Sequence, residues 1–458
     1  MKTLTTALNQ KQENGFHELT HGIDVDVFLF KEEITVQKAW VTGLIEANII
    51  SVHDGNKINS ELDSIEQEIE NKTFNWVLED EDIHMNIERV VTEKLGDLGK
   101  KMHLGRSRND LVATSLKLYL ANSCIYFITE INAIALVILD LSERDINIIL
   151  PAYTHLQAAQ PIRMSQIWNF HVLNFSSDFE KFYHCHQNLM SWMPLGSAAI
   201  SGTHISIDLK AISKSLGFHN PPINSIHGVS DRDGVIETAQ AISMLALHIG
   251  RFCEDIILMS SSVMKVAQLS PEWSSGSSIM PNKRNPDFFE VLRGKSKKLM
   301  ALGNEVLFMN SGIASGYCSD FHEQKRVIVE AIVNLREILP IIKKAFGSVI
   351  IDKERSSELL STGHILATDV ANNMVTEGMT FRDAYRLVAT RIVEANEKFI
   401  QVGTDTTSFE TAVEKRNNFG GTSASRILES ISTLKDRLLA PRSHPPFKLT
   451  GNSINFKA

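Results

Sequence analysis

Between Leu111 and Leu150 the chain contains neither glycine nor proline. Within that stretch Leu116, Leu120, Ile128, Ile131, Ala135, Ile138 and Leu139 recur at helical intervals. A helix of that length makes a rod of about 60 Å, well beyond the usual globular helix. Comparable runs follow over 162–193, 235–269, 287–309 and 322–345, the first of them opened by Pro161 and the last interrupted by Pro340. Long helices with apolar faces must bury those faces on one another. The 235–269 run has more apolar circumference than one stripe, through Ile242, Leu245, Leu247, Ile249, Phe252, Ile256, Ile257 and Leu258. It is expected to be surrounded, across a subunit interface. No alternating strand pattern of any length, tandem repeat or low-complexity tract is present. The fold class read from the residues is all-α.

Three regions are expected: an N-terminal helical domain over 1–110, a long-helix bundle over 111–350 and a small helical domain over 351–458. In the first, Ala39, Leu44, Ile45 and Ile49 form a stripe, and 60–70 reads as a helix capped by Ser60. Another helix opens at Glu81-Asp82-Ile83-His84-Met85 and stops at Gly96. In the last region, 352–360, 367–377, 381–397 and 423–438 read as shorter helices, and the tail from Pro441 as an extension. The formal charge of −8 argues against non-specific nucleic-acid binding. Residues 1–15 lack the apolar core of a signal peptide, and the longest unbroken apolar run, 133–139, is too short to cross a bilayer. Cys124, Cys185, Cys253 and Cys318 are widely spaced, which fits free thiols in a reducing cytoplasm. His184-Cys185-His186 does not read as a metal site, because neighbours on a helix point about 100° apart.

The unusual polar chemistry lies between the long runs. Gly276-Ser277-Ser278-Ile279-Met280-Pro281-Asn282-Lys283-Arg284-Asn285-Pro286 reads as a loop. Its small residues can bring backbone N–H groups to an anion, with Lys283 adding charge and Asn285 a neutral donor and acceptor. A solvated basic turn is the plainer alternative. In Gly105-Arg106-Ser107-Arg108-Asn109-Asp110, two arginines flank Ser107 at a helix start. They either hold a carboxylate or pair with surface acids while Asn109 or Asp110 caps the helix. The loop Tyr153-Thr154-His155-Leu156-Gln157-Ala158-Ala159-Gln160-Pro161 offers a proton handler in His155 and neutral donors in Thr154, Gln157 and Gln160. Ser230-Asp231-Arg232-Asp233 reads as a helix cap with a paired arginine. Tyr317 and Lys325 either reach a substrate or flank a helix start capped by Asp320.

Taken together and in this order, these segments resemble the argininosuccinate lyase family of the fumarase/aspartase superfamily. The 276–286 stretch is similar to the superfamily signature. Gly105–Asp110, Tyr153–Pro161, Glu81–Met85, Val229–Asp233, Ala367–Asp369 and Phe419–Thr422 resemble the argininosuccinate branch. The resemblance implies three helical domains, a 20-helix bundle in a homotetramer and active sites drawn from three subunits. It implies elimination of fumarate from argininosuccinate, leaving arginine, with no cofactor or metal. Ser277 and His155 would be the acid/base pair. Lys283 and Asn285 would hold the reacting carboxylate, and Asn109 and Thr154 other substrate oxygens. Tyr317, Lys325, Arg108, Ser107, Gln160 and Lys38 would line the pocket. Four positions depart from the family pattern. Leu104, Leu111 and His322 stand where it has Thr, Gln and a substrate-contacting Gln, and Gly22 falls where it has a substrate-binding Ser.

Overall fold

The structure is a computed structural model that describes residues 15–397, 402–404 and 407–439. The expected tail from Pro441 lies outside the described residues. In chain order the principal helices are α1 (Phe30–Glu46), α2 (Val52–Glu70), α3 (Ile83–Leu95), α4 (Arg108–Arg144), α5 (Met164–Leu189), α6 (Asp233–Ser260), α7 (Asp287–Met309) and α8 (Asp320–Gly347). Five shorter ones follow: α9 (Lys353–Leu359), α10 (Ala367–Thr376), α11 (Phe381–Glu397), α12 (Phe409–Glu414) and α13 (Ala424–Leu439). The all-α architecture expected from the periodicity is what forms.

The chain divides into two compact units, one of residues 1–134 and 174–352, the other of 135–173 and 353–458. In the first unit α6 packs along α7 and α8, and α1 packs on α2. Aromatic rings fill its centre. Phe252 stacks on Phe346 at 3.7 Å, and Phe289 lies parallel to Phe346 at 6.3 Å. Gly303 lets α7 approach α6 closely. A Cβ there would sit 1.9 Å from Ser243 Oγ and 2.7 Å from the Ala239 carbonyl. In the second unit α10 packs on α11 around Val370, Ala371, Ala384 and Val388.

α4 is long and apolar enough to cross a membrane by length and composition. It passes that test because the interrupted pattern, rather than one unbroken run, carries the hydropathy. Leu116, Leu120, Phe127, Ile131 and Ile134 are nevertheless buried within the protein. On α6 the surplus apolar residues are not all covered by their own chain: Leu247 is 40% exposed.

Several local expectations need correction. Ser51, not Ser60, caps α2, accepting from the Asp54 N–H, so the helix starts eight residues earlier than Ser60. Pro340 sits inside α8 without ending it. Asp320 does not cap α8: it is the helix's first residue, and Ser319 precedes it without a side-chain cap. Arg232 holds the cap position of α6 without a side-chain cap, and Asp233 is the helix's first residue. Asp231, one residue before the cap, accepts from the Asp233 N–H at 3.0 Å and so satisfies the first helical amide. The 153–161 stretch is not an open loop but part of an antiparallel hairpin, β1 (Ile149–Thr154) with β2 (Gln157–Arg163). Pro161 therefore lies in a strand rather than at a helix start. Among the described residues two further ladders form, β3 (Ala267–Gln268) with β6 (Ile350–Ile351) and β4 (Ser275–Gly276) with β5 (Arg284–Asn285).

Candidate active site

The signature loop is closed at its base by β4 and β5, with Ser275 opposite Asn285 and Gly276 opposite Arg284. The Ser275 N–H donates to Asp287 Oδ1 at 2.9 Å, which ties the loop to the first turn of α7. Above that base the chain turns sharply. The Ser277 hydroxyl oxygen accepts from the backbone N–H groups of Met280 (3.1 Å) and Ile279 (3.4 Å). Two amides aimed at one oxygen favour its anionic form, as an oxyanion hole does. Lys283 is exposed, and among the described residues its side chain makes no hydrogen bond or ion pair, while its backbone N–H donates to the Met280 carbonyl at 3.1 Å. It is a free cation a few residues from that hydroxyl, next to the partly buried Asn285.

A second constellation in the same unit gathers residues from several distant segments. Lys325, on α8 and only 4% exposed, pairs with the buried Asp26. Arg108 pairs with Asp82, and with Glu81 at 3.2 Å. His84 Nδ1 lies 2.7 Å from Glu33 Oε2, which also accepts from Ser115 Oγ at 2.7 Å. Gln37 donates to Glu33 Oε1 at 2.6 Å and accepts from Arg106. Asp110 is no cap. Its carboxylate accepts from the N–H groups of Ser107 (3.0 Å), Gly196 (2.9 Å) and Ala198 (2.8 Å), clamping the arginine loop to the 196–198 turn. The Ser107 hydroxyl accepts from the Asn109 N–H at 3.3 Å, and Asn109 Nδ2 donates to the Ala199 carbonyl at 3.1 Å. Arg232 pairs with no acid among the described residues. It lies 3.8 Å from the centre of the Phe321 ring and donates to the Asp231 carbonyl at 2.7 Å.

The electrostatics follow from this packing. Burial opposes ionisation of Asp82, but the charges of His84 and Arg108 outweigh it and hold the carboxyl below its usual range. Burial likewise works against a charged His84, yet Glu33 and Asp82 outweigh it and push its pKa up. His322 goes the other way, lowered by burial and by neighbouring Lys325. Burial pushes the Tyr317 phenol up to about 12. At neutral pH a neutral imidazole therefore meets a protonated phenol, with Tyr317 OH and His322 Nε2 2.8 Å apart.

The donor atoms of Asp26, Asp82 and His84 lie within 4.8 Å of one another, a spacing compatible with a metal ion. The chemistry of the set does not fit one. Lys325, Arg108 and Glu33 already engage the three groups, so a divalent ion would have to displace built-in charge partners.

Lys38 pairs with Asp63, and with Glu66 at 3.5 Å, on the face of α1 toward α2. The hairpin residues belong to the second unit. Thr154 and His155 are exposed at its tip, and Gln160 is partly buried in β2. His155 and Leu156 form a two-residue turn with φ of 55° and 59°. Both values lie in the left-handed region that this hairpin class requires. Sequence reasoning gave no role to Asp26 or Glu33, and read Asp82 and His84 only as part of a motif. The available signal was slight: Asp82 and His84 stand at the start of a predicted helix, while Asp26 and Glu33 lie before the first apolar stripe.

The model of a family described as "Lyase" matches residues 7–301. That match and the long-helix fold define the protein as a member of a lyase family. Argininosuccinate lyase of Ruthia magnifica subsp. Calyptogena magnifica is 33% identical over 95% of this chain and 96% of its own. The enzyme of Lawsonia intracellularis is 31% identical over 94% of this chain and 97% of its own. The chain belongs to the argininosuccinate lyase family. Among solved structures, EDDS lyase in complex with formate superposes with a TM-score of 0.79 at 22% identity, covering 90% of this chain and 87% of that one. A class II fumarase from Schistosoma mansoni gives 0.71 at 16% identity, covering 95% of both chains. These two likenesses concern the fold.

Proposed function

We propose that this protein is an argininosuccinate lyase, a carbon–nitrogen lyase of the cytoplasm that splits argininosuccinate reversibly into fumarate and arginine in arginine biosynthesis. Beyond family membership, the observation that carries the reading is the Ser277 hydroxyl, met by two backbone amides near an unpaired Lys283. Proton removal next to a carboxylate needs a base whose charged form is stabilised and a cation for the developing dianion. Ser277 and His155 act as the acid/base pair. Lys283 and Asn285 hold the reacting carboxylate, and Asn109 and Thr154 hold other substrate oxygens. Tyr317, Lys325, Arg108, Ser107, Gln160 and Lys38 complete the pocket, with Lys325 and Arg108 acting from within their ion pairs. Three helical domains, divided near residues 110 and 350, assemble as a homotetramer through the uncovered apolar faces of the long helices. Each active site then combines loops of several subunits.

The test is fumarate absorbance on mixing purified protein with argininosuccinate. The expected result is a steady rise that Ser277→Ala abolishes. Absence of signal at high enzyme concentration rejects the assignment.

A second reading is favoured by the Tyr317–His322 hydrogen bond and by Gly22. It is a lyase releasing fumarate from another N-substituted aspartate. A screen of adenylosuccinate, aspartate and malate beside argininosuccinate separates the two.

A further inference from the structure

The second unit holds an arginine that no part of this reading uses. Arg163 ends β2, opposite Ile149, and its side chain is 2% exposed. Its guanidinium bridges Glu410 and Glu414, one turn apart on α12, the latter at 2.6 Å. It also donates to the Ile146 carbonyl at 3.1 Å, and its backbone N–H donates to Thr422 Oγ at 2.8 Å. Glu414 in turn accepts from the Ala424 N–H at 2.9 Å. The hairpin base is thus locked to α12, to the 422 turn and to the start of α13. A buried guanidinium that lost these carboxylates would be costly to keep in place.

The hairpin makes that lock consequential. Pro151 stands opposite Pro161 in the ladder, and the register shifts between Pro151 and Tyr153. Two facing prolines stiffen both strands but supply no N–H to the ladder. Beyond them, Thr154 and His155 make no side-chain hydrogen bond among the described residues and are exposed. The tip is a stiff arm steered from its base. From Arg163 to Gln157 the arm spans roughly 20 Å, so a tilt of about 3° at the base moves the tip by about 1 Å.

We propose that Arg163, through Glu410 and Glu414, is a positioning residue that sets where the Thr154–His155 tip is presented. The inference rests on the proposed role of His155. An error of about 1 Å in a reacting group can cost up to a hundredfold in rate.

The experiment is a double-mutant cycle with full-length protein, measuring fumarate release from argininosuccinate. Arg163→Met is expected to lower kcat at least tenfold with KM changed less than about threefold, and Arg163→Lys to recover part of the loss. In a His155→Ala background Arg163→Met should change the residual rate less than about twofold, since there is no imidazole left to misplace. Hydrogen exchange read by mass spectrometry should be faster across 149–163 and unchanged across α6. An equal fold loss in both backgrounds, or unaltered hairpin exchange, overturns the proposal. If Arg163→Met does not fold, Glu410→Gln and Arg163→Lys carry the same cycle. If the wild type releases no fumarate, the functional reading fails separately, and hairpin exchange alone decides whether the clamp exists.

Discussion

At the residue scale the chemistry depends on which groups are committed and which are free. Ser277 receives two amides and the Lys283 side chain has no partner among the described residues, whereas Lys325 and Arg108 are bound by Asp26 and Asp82. Ser277→Ala is therefore expected to lower kcat by about 10²–10⁴, while circular dichroism stays unchanged. The Glu33–His84 pair gives a pH signature. The pKa of His84 is raised above its ordinary 6.5, so the stability it contributes is complete below that pH and lost as pH rises through the raised value. The pKa of Glu33 is lowered from 4.5, because its burial is outweighed by His84 and Arg106, so its contribution is lost only as pH falls through the lowered value. Melting temperatures of the wild type should decline above neutral pH, and His84→Gln should flatten that decline. An identical slope in the variant would contradict the pair's role.

Elements store their own costs. The hairpin turns on His155 and Leu156 with positive φ, where a side chain costs about 1–2 kcal/mol. Leu156→Gly removes that cost at the residue that carries no proposed chemistry, so the thermal midpoint should rise. On α7 the opposite holds for a glycine. Gly303→Ala puts a methyl 1.9 Å from Ser243 Oγ and 2.7 Å from backbone oxygen. Overpacking of this kind costs about 1–3 kcal/mol, and differential scanning calorimetry should show a lower midpoint.

For the whole molecule, the proposed tetramer would cover apolar residues that the single chain leaves open on the long helices. Leu247 on α6 and Phe308 on α7 are 40% and 73% exposed in the single chain. Association surfaces are built from exposed apolar residues gathered into patches, and these two residues test whether the helix faces that carry them are such surfaces. Leu247→Lys combined with Phe308→Lys should shift the mass seen by light scattering toward the monomer and remove fumarate release. If sites combine loops of different subunits, refolding Ser277→Ala together with His155→Ala should restore activity that neither has alone.

Sequence by itself determined the helical class, because periodicity and capping are local: 287–309 and 381–397 read as the helices that form. It also carried the motifs that resemble the lyase family. It did not yield the hairpin, since two prolines and a His-Leu turn disguise the alternation on which strand reading depends. Nor did it yield the pairing of Asp26 with Lys325, or of Arg163 with Glu410 and Glu414. Partners hundreds of residues apart leave no local pattern. Only the tertiary structure decides which cations are already neutralised, because an ion pair depends on distance in space and on exclusion of water, and neither is written in the order of residues.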